Sequence, residues 1–89
     1  MRCVISVLGK DRSGIVAGIA TVLAECKANI DDISQTLLDD IFSMTMLVSL
    51  DTQAASFNTV QEKLAAKSEE LGVQVTLQRQ DVFDYMYKI

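Results

Sequence analysis

The sequence predicts an α+β fold: a ferredoxin-like βαββαβ sandwich with a four-stranded antiparallel sheet, two helices on one face, and a short C-terminal helix or tail. Three observations predict it. The hydrophobic period alternates between two and three-to-four residues in the order strand, helix, strand, strand, helix, strand. Polar or glycine-bearing turns fall at the switches, among them Gly9 to Gly14, Asp39-Asp40 and Gly72. The length, 89 residues with 49% hydrophobic and 22% charged side chains, fits one globular core and leaves no room for a second. Two right-handed β-α-β crossovers then interleave their strands in one sheet.

Arg2 to Leu8 is apolar on both faces, with Cys3, Ile5 and Val7 opposing Val4 and Leu8, which suits a central strand. Ile15, Ile19, Val22, Leu23 and Cys26 follow helical spacing, with Val16 and Ala20 beside them. Ile15 to Cys26 is therefore a helix, closed by Lys27, Ala28 and Asn29. Ile30 to Leu38 is extended, and its acidic start, Asp31-Asp32, makes it an edge strand. Asp39-Asp40 reverses the chain, after which Phe42, Met44, Met46, Val48 and Leu50 alternate with Ser43, Thr45, Leu47 and Ser49 in the clearest strand. A second helix spans about Ala54 to Leu71, with Phe57, Val60, Leu64 and Leu71 on one stripe and Gly72 as terminator. Val73, Val75 and Leu77 alternate with Gln74, Thr76 and Gln78 in a last strand.

With both helices on one face, the other face carries Val4, Ser6, Leu8, Ser43, Thr45 and Leu47, too apolar to stand in water uncovered. Residues 1–80 thus form the domain. Residues 81–89, with Val82, Phe83, Tyr85, Met86, Tyr87 and Ile89, form an apolar extension expected to pack on the domain or on a dimer mate. A chain this small buries only about 60–65% of its unfolded surface, which also favours a partner chain.

The net charge of -4 and the scattered Lys and Arg residues exclude a nucleic-acid role, which needs clustered positive charge. No apolar run reaches the length of a membrane span, and Met1-Arg2-Cys3-Val4 enters a strand directly, so a cytoplasmic location is expected. Cys3 and Cys26 lack CxxC spacing and belong to apolar patterns, as buried thiols do. There is no histidine, no Ser or Cys beside an evident base, and therefore no assigned catalytic residue; no enzymatic activity is expected. Asp31-Asp32 and Asp39-Asp40 do not make a metal site, because neighbouring strand residues point to opposite faces and turn aspartates are solvated. No cofactor is expected.

What is left is the junction Gly9-Lys10-Asp11-Arg12-Ser13-Gly14-Ile15-Val16. It leads from a strand into a helix whose first N–H groups carry partial positive charge, a natural cradle for a carboxylate. Glycines at both ends permit close approach of a ligand or a second chain. A structural account of the same residues exists: Ser13 serves as N-cap and the glycines merely turn the chain.

This junction, followed after one helix by Asn29-Ile30-Asp31-Asp32-Ile33-Ser34-Gln35, resembles the ACT domain, a small-molecule regulatory module of amino-acid metabolism. The resemblance covers nearly the whole chain and is strongest to small stand-alone ACT proteins. It extends to the ACT domains of formyltetrahydrofolate deformylase and the glycine cleavage system transcriptional repressor. It implies a homodimer in which the first loop of one subunit and an asparagine at the start of the second strand of its neighbour hold an amino acid. Carried over, the loop position falls on Asp11 and the asparagine on Asn29, and together with the rest of the junction the candidate ligand-binding residues are Gly9, Lys10, Asp11, Arg12, Ser13, Gly14 and Asn29. The sequence departs from the serine-binding ACT domain of phosphoglycerate dehydrogenase in placing Asp11 where that domain has a neutral amide, and Gly9 where it has a histidine. The function implied is a non-enzymatic sensor, a dimer that binds a small amino acid and acts on a partner enzyme or regulator. The alternatives are an interaction or assembly module using its sheet or C-terminal tail, and an accessory regulatory subunit of an amino-acid or folate enzyme.

Overall fold

The computed structural model describes residues 1–11 and 13–86, the last of these in its backbone alone. The elements run β1 (Arg2–Lys10), α1 (Ile15–Glu25), β2 (Asn29–Leu38), β3 (Ile41–Ser49), α2 (Phe57–Leu71), β4 (Gln74–Arg79) and α3 (Gln80–Met86). The sheet order is β2-β3-β1-β4, with every neighbouring pair antiparallel. This is the predicted ferredoxin-like sandwich. β1 and β3 are central because both faces of these strands carry apolar residues, whereas β2 and β4 form the two edges.

One face of the sheet builds the core. Cys3, Ile5 and Val7 of β1 and Met44, Met46 and Val48 of β3 pack against Ile15, Ile19, Val22 and Leu23 of α1 and Val60 and Leu64 of α2. Each such side chain taken from water contributes about 1.5–3 kcal/mol. Both cysteines are buried free thiols. Burial raises the Cys3 thiol above its ordinary pKa, against the smaller pull of the N-terminal ammonium and Arg79.

The helices end alike. After α1, the Lys27 N–H donates to the Ala24 carbonyl at 3.0 Å and the Ala28 N–H to the Leu23 carbonyl at 2.9 Å, with Lys27 in the left-handed region at φ 57°. After α2, Gly72 takes φ 71° and the Gly72 and Val73 N–H groups both donate to the Ser68 carbonyl. Asn29, read from the sequence as part of the first helix's end, instead begins β2, because the Lys27 turn has already closed α1.

Two other boundaries shift. β1 continues past Leu8 to Lys10, since β3 pairs with it as far as Lys10↔Ile41. α2 starts at Phe57 and not near Ala54, because Ser56 caps it: the Ser56 Oγ accepts from the Thr59 N–H at 3.2 Å. The preceding residues fold over Asp51, whose carbonyl accepts from the N–H groups of Ala54 and Ala55.

The face away from α1 and α2 is covered in part. α3 lies against β1 and β4, and on this face Val4 is buried while Leu8, at the other end of the same strand, is exposed. Residues 87–89 of the predicted apolar extension lie outside the described residues. Among the described residues, no helix is long and apolar enough to cross a membrane.

Candidate functional site

The β1–α1 junction sits at the end of the sheet where the β2–β3 hairpin turns. Asp39 takes φ 57° there, and the Asp11 N–H donates to the Asp40 carbonyl at 2.8 Å, tying junction to hairpin. Asp11 then borders a cleft of about 280 Å³ whose other walls are Gln35, Thr36 and Leu37 of β2 and Phe42 of β3. The strand-edge walls of this cleft are residues that sequence reasoning did not single out. Their only signal was position: they stand two to four residues before the Asp39-Asp40 turn and so return to the first junction.

The two glycines of the junction serve different ends. A Cβ on Gly9 would stand 2.8 Å from Val73 Cγ1 and 3.2 Å from Val73 Cα, so the chain's own β4 entry approaches Gly9 closely. Gly14 has φ 91° with open space around it, and it occupies the N-cap of α1 in place of Ser13. Its left-handed backbone turns the chain into the helix without a hydroxyl. No side chain among the described residues caps the first turn of α1, in contrast to α2. Ser13 is exposed in the turn, and Lys10 ends β1 opposite Ile41, on the sheet face away from the helices. Arg12 lies outside the described residues.

Asn29 is elsewhere. It pairs with Ser49, and Ser49 pairs with Arg2, so Asn29 stands at the beginning of β1 while the junction follows its end. Eight strand residues at ~3.3 Å each separate the two places by roughly 26 Å along one subunit. There Asn29 belongs to a compact polar cluster. Its Nδ2 donates to Asp31 Oδ1 at 2.6 Å, while Asp31 Oδ2 accepts from Ser49 Oγ at 2.5 Å and from Arg2 Nε at 3.4 Å. The hydrogen bonds from Ser49 and then Asn29 hold the Asp31 carboxyl below the ordinary aspartate pKa; burial opposes them, and Arg2 adds a lesser downward pull.

Asp31 reaches this cluster because β2 bulges. The register passes from Ile30↔Val48 to Asp32↔Leu47, leaving Asp31 without a partner residue. The extra residue puts the Asp31 carboxylate among Asn29, Ser49 and Arg2 on the open face, the same face as Asp32 opposite Leu47. The strict alternation expected from the sequence would have put these two aspartates on opposite faces, and it fails at this residue. The odd spacing of Ile30 and Ile33, both on the helix side, was the available signal. Among the described residues no group of three or more His, Cys, Asp or Glu side chains is placed to hold a metal ion.

The antiparallel βαββαβ sandwich with a polar first junction defines the class of ferredoxin-like α+β domains, which hosts many functions, and the comparisons with known proteins make the family specific. The sequence profile of the ACT domain matches residues 2–78, and the chain belongs to the ACT domain family. It is 53% identical to a UPF0237 protein of Methanocaldococcus jannaschii over 88 residues, covering 99% of this chain and 98% of that protein. Among solved structures, an ACT domain protein from Streptococcus pneumoniae superimposes with a TM-score of 0.81 at 42% identity, covering 98% of both chains. The ligand-free regulatory subunit of aspartate kinase from Thermus thermophilus gives 0.68 at 25% identity, over 86% of this chain and 50% of that one.

Proposed function

We propose that this protein is an amino-acid-binding regulatory module that acts as a homodimer, in the cytoplasm and without catalytic activity of its own. The observation that carries the reading is the separation of the two half-sites. Asn29 and the Asp11 cleft lie at opposite ends of β2, and β2 is an edge strand. Pairing β2 antiparallel with β2 of a second copy about a two-fold axis near Ile33 sets the Asn29 end of each strand against the Thr36 and Leu37 end of the other. Two equivalent sites result at the seam, each with the uncapped first turn of α1 and the Asp11 cleft from one chain next to the start of β2 from its mate. The same pairing covers Ile30, Ile33 and Leu37, which are exposed in the single chain. A two-fold contact of this kind is self-complementary.

The family supports the regulatory part, and the aspartate kinase neighbour is by its description a regulatory subunit. Regulation follows if the amino acid binds one subunit arrangement more tightly than another, since only differential affinity shifts a population. Isothermal titration of the purified protein with the twenty standard L-amino acids, run beside sedimentation velocity, tests the reading. Saturable binding of at least one amino acid at one or two sites per dimer is expected. A folded dimer that binds none of them overturns the ligand, and a folded monomer at all concentrations overturns the shared site.

A second reading draws on α3, where Val82 and Tyr85 are exposed. Here the module captures a polypeptide, such as the enzyme it regulates, through the tail and the open sheet face. Removing residues 81–89 separates the two: a sensor keeps its amino-acid affinity, and an interaction module loses its partner.

A further inference from the structure

We propose that Asp32 guards the free edge of β2: its carboxylate occupies a backbone donor that a second strand would need and sets like charges against each other across the seam, so that two chains pair reversibly and pair more tightly once that side chain is neutralised. This inference rests on the β2 pairing of the proposed homodimer and adds what limits it.

The backbone groups that the edge offers follow from the ladder. Successive strand residues turn their N–H and C=O to opposite neighbours. The Leu50 N–H donates to the Met1 carbonyl at 2.7 Å and the Asp11 N–H to the Asp40 carbonyl at 2.8 Å, beyond either end of the β1–β3 ladder, so the even-numbered residues of β3 turn to β1 and the odd-numbered ones to β2. Ser43, Thr45 and Leu47 therefore bond Thr36, Ser34 and Asp32, which leaves Ile33, Gln35 and Leu37 facing outward. Unpaired groups of this kind are a template for another strand. Ile33 is the exception. Its N–H donates to Asp32 Oδ1 at 2.9 Å, so the outward donor at the proposed two-fold is already taken, in each copy, by the chain's own carboxylate.

Charge adds to this hold. Residues 29–49 carry four aspartates and no lysine or arginine. Arg2 of β1 meets Asp31 at 3.4 Å, and no ion pair reaches Asp32 among the described residues. Each Asp32 starts on the open face, opposite Leu47 of its own β3, so a two-fold near Ile33 sets the two carboxylates on the same face of the seam. Like charges so placed oppose pairing, and salt weakens their effect.

Sedimentation velocity over a range of concentrations gives the dimer dissociation constant of the full-length protein and of Asp32→Ala, Asp32→Asn and Glu62→Gln. Asp32→Ala is expected to pair about tenfold more tightly than wild type. Asp32→Asn loses the charge but keeps an oxygen that accepts from the Ile33 N–H, and is expected to fall between the two. Glu62→Gln removes one charge from α2, away from the seam, and is expected to match wild type. Raising NaCl from about 0.05 M to about 0.5 M is expected to tighten the wild type several-fold and to change Asp32→Ala less. An Asp32→Ala dimer no tighter than wild type overturns the guard, as does an equal gain in Glu62→Gln. Asp32→Asn equal to Asp32→Ala overturns the hold on the Ile33 N–H. Wild type and variants that all stay monomeric, or an Asp32→Ala dimer that persists with Ile33→Asp added, mark failure of the β2 pairing itself, and the inference falls with it.

Discussion

The chain contains the same plan twice, a central strand, a helix and an edge strand, and the two copies are finished to different degrees. In the second half, β3-α2-β4, the helix is capped by Ser56 and closed by Gly72, and on the helix side of its edge Val73, just before β4, and Leu77 are buried, at 8% and 6% exposure, with Val75 between them partly buried. In the first half, β1-α1-β2, the helix opens on Gly14 with no side-chain cap and closes on Lys27, and the helix-side residues of β2 stand at 37% (Ile30), 39% (Ile33) and 56% (Leu37). Similar apolar spacing therefore gives opposite burial. The difference shows where the domain is complete in itself and where it is left open to another molecule, and both openings of the first half fall on the residues proposed to bind ligand and partner.

Substitutions at matched positions make this contrast measurable. The largest difference is expected between the edges. Leu77→Ala removes a buried side chain between β4 and the core and is expected to cost about 2–5 kcal/mol in urea unfolding. Leu37→Ala, more than half exposed, is expected to change the dilute monomer by under about 0.5 kcal/mol. If both cost the same, β2 is not an open edge. Ile33→Asp sharpens the point: it leaves the monomer folded but sets two carboxylates against each other at the centre of the proposed two-fold pairing, so sedimentation velocity is expected to show monomer where the wild type shows dimer. A dimer that survives Ile33→Asp uses another surface.

Gly9 comes next, because here the first half leans on the second. Gly9→Ala places a methyl group 2.8 Å from Val73 Cγ1 with the Val73 backbone behind it, and such overpacking is expected to cost about 1–3 kcal/mol. Val73→Ala in the same chain opens that space and is expected to make the two effects less than additive. Strict additivity would mean that the Val73 side chain is not what makes Gly9→Ala costly.

How much of this was legible in the sequence follows the same division. Period and turn chemistry are local, so the element order, the Asp39-Asp40 hairpin, the Gly72 stop and the helix-facing residues of β1 and β3 could all be read directly. Contacts between residues far apart in sequence could not. Nothing local to Gly9 says that Val73 fills the space above it, and nothing local to Ile33 distinguishes it from Leu77. Asp31 is the intermediate case: its carboxylate reaches Asn29, Ser49 and Arg2 through a bulge, and the three-residue gap between Ile30 and Ile33 recorded that bulge in a pattern read as a plain alternation. The junction was recognised as a strand-to-helix turn, but Ser13 was assigned the cap that Gly14 supplies by backbone conformation alone.

The helix starts give a smaller contrast. Ser56→Ala removes the acceptor for the Thr59 N–H and is expected to cost about 1 kcal/mol. Ser13→Ala, which caps nothing, is expected to stay within about 0.5 kcal/mol, and an equal loss in both would restore Ser13 as a cap.

The smallest effect is expected at the helix ends, and it has the opposite sign. Gly72 and Lys27 both occupy the left-handed region, but only glycine does so freely. A side-chain-bearing residue there carries about 1–2 kcal/mol of strain. Lys27→Gly relieves it, at the cost of about 0.4–1 kcal/mol of added freedom in the unfolded chain. The net gain of about 0.5 kcal/mol corresponds to a rise of about 2–4 °C in Tm for a domain of this size. Gly72→Ala in the second half is expected to lower Tm, because it introduces the strain that Lys27→Gly removes. A fall in Tm for Lys27→Gly would mean that the lysine side chain stabilises the end of α1 by more than its backbone costs, and would place the unfinished character of the first half in its edge and its helix start alone.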